Sequence, residues 1–314
     1  MKTNALRFLV CPGCKGDLEV SAESTSGSEV LTGWLFCHEC RRSYPIQRGV
    51  PRFVDAGRYA STFGYQWNRF PTTQLDSVSG TRESEELLEA ASGWTARDLR
   101  DRLVLDAGVG AGRYAEVVAA KDGEVVGVDL TSAVDAAYAN LGQHPRVHLV
   151  QADIFSMPFR NGTFDLAYSI GVLHHTPDPR EAFACIARAV KKGGGLAVYL
   201  YGAYGIARHF SNFIRKATTR LPLKVMLVLA TAAVPLYYLY RLPVVGWIPR
   251  IICPISMHPS WRSRWLDTFD WYTPFYQWHL QYPEVSRWFR ANGFTDLEIF
   301  DGPIRMRGIK TEES

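Results

Sequence analysis

The sequence predicts a doubly wound α/β domain, its sheet mostly parallel, preceded by a small β module held by a metal. Three observations carry this. Two Cys-x-x-Cys pairs, Cys11/Cys14 and Cys37/Cys40, stand close to the start of the chain. From Arg102 onward short apolar strands alternate with helical stretches, the pattern of a parallel sheet with crossover helices. A glycine-rich bend at 108–112 follows the first of those strands, at the edge where open parallel sheets bind ligands.

The chain has 314 residues, enough for a full α/β core plus an appendage. Hydrophobic residues at 47% and charged residues at 21% exclude a disordered chain. A formal charge of +4, with no long run of Lys or Arg, gives little support to nucleic-acid binding. The first ten residues hold too short an apolar stretch for a secretory signal, so a cytoplasmic location is expected.

Each cysteine pair presents two thiolates on a tight turn, and two such turns together make the tetrahedral sulfur site that zinc prefers. Cys11, Cys14, Cys37 and Cys40 are therefore the expected ligands of a structural Zn2+. Four sulfurs leave no open position for catalysis. The runs 18–20 and 34–36 read as strands, and the Ser/Gly-rich stretch 21–29 as a flexible hairpin tip. Cys185 and Cys253, isolated in apolar surroundings, read as buried thiols.

The parallel strands supply the candidate ligand contacts. Residues 103–107 lead into Gly108, Gly110 and Gly112, whose missing side chains permit a sharp turn and close approach of a ligand to a helix N-terminus. The dinucleotide fingerprint needs glycine at 113, where Arg113 stands, and Asp106 precedes the first glycine by two. The second strand, 124–129, ends in Asp129, placed to accept from two ribose hydroxyls. The third, 147–154, carries Asp153 for an adenine amino group and Ile154 for an apolar contact. The fourth strand runs from Phe164 toward His174 and His175, and a fifth, 196–201, follows a glycine turn at 193–195.

This ordered set resembles the class I S-adenosylmethionine-dependent methyltransferases, in particular the branch of quinone-biosynthesis and small-molecule enzymes, across residues 100–200. The resemblance implies a Rossmann-like fold: a seven-stranded, mostly parallel sheet with an antiparallel last strand. It assigns Asp106 and the bend at Gly108, Gly110 and Gly112 to the methionine end, Asp129 to the ribose, and Asp153 with Ile154 to the adenine. Leu130 and Ser169 complete the set, and Tyr65 and Trp67 lie where relatives place a segment that closes over the cofactor. The segment 36–51 is similar to the zinc-ribbon module that accompanies several methyltransferase families, here in cis.

The expected organisation is a zinc ribbon at 1–56, a helical segment at 57–100 and a cofactor core at 101–201. A helical, aromatic-rich cap insertion at 202–281 and a closing helix and hairpin at 282–314 follow. Residues 225–240 are uncharged, with Pro235 inside, and three readings stand: buried cap helices, a surface dipping into a bilayer interface through 221–255, or a tunnel for a lipid-like acceptor. Arg208, Arg215 and Arg220 nearby are candidate phosphate partners. The aromatics from Trp261 to Trp278 suit core packing or a pocket wall. His175, with His174 beside it, is the candidate general base. The expected activity is methyl transfer to a small hydrophobic or glycosylated acceptor: a natural product, quinone or lipid-linked intermediate. A zinc-ribbon RNA methyltransferase and a noncatalytic cofactor-binding scaffold are the alternatives.

Overall fold

The computed structural model describes residues 1–54, 61–203, 207–242 and 246–311. The expected boundary at 56 lies outside them. The chain divides into two compact units, 1–202 with 278–314, and 203–277.

The first unit opens with a four-stranded antiparallel sheet of β1 (Leu18–Ser26), β2 (Glu29–Cys37), β3 (Ser43–Gln47) and β4 (Val50–Pro51). The stretch expected to be a flexible tip is strand nearly throughout, with the turn confined to Gly27 and Ser28. Ladder pairing from Leu18↔Cys37 to Ser26↔Glu29 overrides the weak strand propensity of its serines. The helices α1 (Ser61–Arg69), α2 (Asp76–Ser79), α3 (Glu83–Ser92) and α4 (Ala96–Leu99) follow.

The main sheet begins with β5 (Leu103–Ala107), α5 (Arg113–Ala120), β6 (Glu124–Asp129), α6 (Ala133–Leu141) and β7 (Val147–Gln151). It continues with β8 (Phe164–Ile170), α7 (Pro179–Ala189) and β9 (Val190–Leu200). The glycines at 193–195 sit inside β9, which is longer than expected, instead of forming a turn before it. Strands buried on both faces read as continuous apolar runs, which is why β5, β6 and β7 were visible in the sequence.

The second unit contains α8 (Ala207–Thr218), α9 (Leu223–Thr231), α10 (Ala233–Tyr240), α11 (Trp247–Ile252) and α12 (Trp261–Tyr272). Phe269 and Tyr272 of α12 pack with Met226 and Ala230 of α9. Arg215, one of the candidate phosphate partners, is buried and donates to the carbonyls of Trp271 (2.9 Å) and Pro274 (2.6 Å), so it ties α8 to the segment that ends α12. Arg220 is exposed, and the side chain of Arg208 lies outside the described residues.

The chain returns to the first unit with α13 (Tyr282–Ala291), β10 (Phe294–Phe300) and β11 (Ile304–Lys310). Strand order is β10-β11-β9-β8-β5-β6-β7, and β11 alone runs against the rest. This is the Rossmann-like class I fold that the sequence predicts. Its order reverses between β5 and β8, so the ligand crevice of an open α/β sheet falls at their carboxyl ends.

The ribbon continues this core. Phe8, Leu9, Leu35, Ile46 and Phe53 share one apolar cluster with Leu105, Val126 and Val150 of the parallel sheet. Arg52 pairs in parallel with Gln151 at the end of edge strand β7, and the Phe53 amide donates to the Gln151 carbonyl at 2.8 Å. The ribbon thereby covers the otherwise open β7 edge.

Candidate functional site

Two groups of chemically active side chains emerge. In the first, the sulfurs of Cys11, Cys14, Cys37 and Cys40 all lie within 4.8 Å of one another. The Cys11–Cys40 and Cys14–Cys37 separations are 3.5 and 3.4 Å, close to the ~3.8 Å edge of a tetrahedron built on a 2.3 Å zinc–sulfur bond. Two equivalent turns hold them. The Lys15 amide donates to the Cys11 carbonyl and the Arg41 amide to the Cys37 carbonyl, and Lys15 and Arg41 both have positive φ. The donor set, geometry and turns fit a structural zinc ion.

The second group lines the carboxyl edge of the parallel sheet. At the end of β5, Asp106 is 1% exposed, and its Oδ2 is buried without a hydrogen-bond partner. Burial pushes this carboxyl up to about 7, against the opposing effect of the Tyr168 hydroxyl and with a further push from Asp129. An acceptor oxygen left bare in such a place suits a donor that arrives with a ligand.

The bend after β5 needs its glycines for reasons the sequence did not reveal. Gly108 has φ +103°, and a Cβ there would stand 2.3 Å from the Val172 side chain. At Gly110, φ is +53° and a Cβ would meet the Trp67 indole nitrogen at 3.2 Å. Packing against Val172 constrains Gly108, while Trp67 of α1 is brought against the bend. Gly112 is the N-cap of α5. Helix α1 is moored by Asn68, whose side-chain amide donates to the Ser132 carbonyl at 2.8 Å and, within the helix, to the Gly64 carbonyl at 2.8 Å. Tyr65, about 200° around the same helix from Trp67, is exposed.

At the end of β6, one Asp129 oxygen accepts from the Gly110 amide (3.0 Å) and the other from the Thr131 amide (2.8 Å) and hydroxyl (2.7 Å). Burial raises the Asp129 carboxyl above its ordinary value although these bonds oppose it. A carboxylate has room for about four donors, so Asp129 is fixed in orientation with capacity left over. Thr131, which holds it, was missed from the sequence; an Asp-x-Thr turn is its only local signal. Leu130 offers its carbonyl to the Gln151 side chain at 3.0 Å. Asp153 caps the short helical turn Ile154–Ser156 through the Phe155 amide (3.0 Å), and Ile154 is buried.

Ser169 is placed differently. It is fully buried, and its hydroxyl donates to the Ala107 carbonyl at 2.9 Å, bonding β8 to β5 inside the sheet. That bond occupies the hydroxyl proton and ties the two strands together beneath the site. His174 and His175 lie on a helical turn just past β8, and both are buried. His174 stacks on Tyr201 at 3.8 Å between centroids, and His175 meets Tyr201 edge-on at 5.6 Å and Phe63 of α1 at 5.2 Å. Tyr201 and Phe63 were not foreseen as their partners.

Comparison with known proteins coincides with these two groups. Residues 105–198 match the family model described as a methyltransferase domain. The chain therefore carries a methyltransferase domain. Residues 5–49 match the Trm112p-like protein model, so a Trm112p-like zinc ribbon stands in front of the methyltransferase domain. The chain is similar to an O-methyltransferase of Aspergillus nomiae, 29% identical over 44% of this chain and 71% of that protein. A ubiquinone biosynthesis O-methyltransferase of Aromatoleum aromaticum is 32% identical over 38% of this chain and 53% of its own length. For a sterol 24-C-methyltransferase of Eremothecium gossypii the figures are 34%, 48% and 39%. The chain thus spans less than two thirds of the last two relatives. A solved complex containing the Trm112 methyltransferase activator of Haloferax volcanii aligns with a TM-score of 0.48 and 13% identity, over 80% of this chain and 99% of that one.

Proposed function

We propose that the chain transfers a methyl group from S-adenosylmethionine to a small, hydrophobic or glycosylated acceptor such as a natural product, quinone or lipid-linked intermediate. The observation that carries this is the row of Asp106, Asp129 and Asp153 at three strand ends around the 108–112 bend, with one buried oxygen of Asp106 unpaired. The names of the O-methyltransferase relatives support a small acceptor.

When bound, S-adenosylmethionine supplies a methyl group on a positively charged sulfur. In this reading Asp106 accepts from the amino group at the methionine end. Asp129, held by Gly110 and Thr131, receives the ribose hydroxyls; Asp153 and Ile154 hold the adenine, and Trp67 covers the bend. These groups fix alignment, which in a displacement at carbon accounts for ~7 kcal/mol or more of the barrier. His175 takes the acceptor's proton, and the rings of Tyr201 and Phe63 limit its motion.

Titration of the zinc-loaded protein with S-adenosylhomocysteine tests the cofactor assignment; a flat calorimetric trace would end it. Acceptors are then sought as metabolites that gain the mass of one methylene when the protein is present. His175→Ala is expected to cut turnover ~100-fold or more while the affinity for S-adenosylhomocysteine stays within about twofold. Turnover equal to wild type would remove the general base and leave His175 a packing residue.

A further inference from the structure

The 18 residues Leu223–Tyr240, with mean hydropathy 1.6, carry one charge, Lys224 in the first turn, and are otherwise apolar nearly all round, yet only 28% of the stretch is buried. Of the three readings the sequence leaves open, buried cap helices fits this exposure least well. The buried positions Met226, Ala230, Ala233, Tyr237 and Tyr240 follow helical spacing and form one face. On the remaining surface Val225, Val228 and Leu239 are 42%, 72% and 40% exposed, and Leu242 just beyond the stretch is 50% exposed. A helix apolar all round belongs either in a core or in lipid, and this one has a core on one side. Phe213, Trp247 and Trp261 of the same unit are also exposed.

Charge completes the pattern. Within 203–277 the acidic residues are Asp267 and Asp270 alone, and neither is exposed. Exposed cations stand at Lys216, Arg220, Lys224, Arg241, Arg250 and Arg262. Pairing two copies of this face would bring like charges together, whereas an anionic bilayer complements both its cations and its apolar side chains.

We propose that residues 203–277 dock on the surface of an anionic lipid bilayer, with the α9–α10 rod lying in the interfacial plane. The rod is held on the unit rather than free to span. Arg264, 2% exposed, lies 3.5 Å from the Tyr237 ring and donates to the Val234 carbonyl at 3.2 Å, while its other bonds go to His258 and Pro259. Pro235, lacking an amide hydrogen, interrupts helical bonding within the stretch, and the break falls at Ala232. The exposed indoles and cations suit the headgroup level.

The test uses the full-length, zinc-loaded protein and co-sedimentation with vesicles of phosphatidylcholine alone or mixed with phosphatidylglycerol. Retention is expected on the mixed vesicles and should weaken as salt is raised. Lys224→Gln should weaken it about fivefold, and Val228→Glu by on the order of tenfold or more. Neither variant should change helical circular dichroism or the affinity for S-adenosylhomocysteine, so the result is independent of the methyl-transfer reading. Wild-type protein left in the supernatant with both vesicle types would overturn the proposal. So would undiminished retention of Val228→Glu, or a wild-type dimer that Val228→Glu converts to a monomer without any vesicle binding.

Discussion

Removing zinc from the four-cysteine cluster is expected to melt the methyltransferase domain along with the ribbon. A module this small has little core of its own, and structural zinc contributes ~10–16 kcal/mol to the folding of comparable modules. A whole domain is stable by only ~5–15 kcal/mol, so a loss on this scale reaches beyond the ribbon wherever the two share a core. Here they do: Leu9, Leu35 and Phe53 are in the same cluster as Val126 and Val150. A polar relay continues to the site. Arg52 donates to the Gln151 side chain (2.8 Å) and to Asp135 (2.6 Å), and Gln151 donates to the Leu130 carbonyl beside Asp129. Chelation or Cys37→Ser should therefore lower the melting temperature by ~10 °C or more and weaken S-adenosylhomocysteine binding with it. Hydrogen exchange locates the damage: β6 and β7 amides should lose protection together with β2. Protection retained in β6 and β7 after chelation would make the ribbon an independent appendage.

What the sequence disclosed follows from how local each signal is. The cysteine ligands were legible because ligand type and turn spacing are both local. Parallel strands were legible because burial on two faces leaves apolar runs, and the carboxylates Asp106, Asp129 and Asp153 stand at or near the ends of those runs. Trp67, Thr131, Arg52 and Tyr201 acquire their roles from partners that the fold supplies. Trp67 meets a bend more than forty residues away, and the partner of Arg52, Gln151, lies ninety-nine residues on. Ser169 lies on β8 with its hydroxyl turned to the Ala107 carbonyl, a partner that its position in the sequence does not disclose. The serine-rich hairpin looks loose in the sequence because propensity says nothing of a partner strand. The 225–240 run leaves three readings open in the sequence because composition cannot reveal whether the second side of a helix has anything against it.

Asp106→Asn is expected to move stability and affinity in opposite directions. Burial holds this carboxyl at about 7 instead of 3.8, so between those values the folded protein keeps a proton that the unfolded chain has released. Without ligand, this group's effect on stability is therefore nil well below pH 4, grows unfavourable as pH rises, and is complete above about 7. The amide cannot ionise, and at mildly alkaline pH the variant should be more stable than wild type by ~1–3 kcal/mol, read from denaturant unfolding without cofactor. Its affinity for S-adenosylmethionine should fall ~100-fold, because a charged acceptor is lost from a dry site. The pH profiles should part in the same way. Wild-type affinity climbs as pH passes through about 7, where the cation's partner becomes an anion, while the variant's profile lacks that step. A variant that is less stable than wild type and binds cofactor equally well would make Asp106 a structural residue of the sheet, and the site would then depend on Asp129 and Asp153.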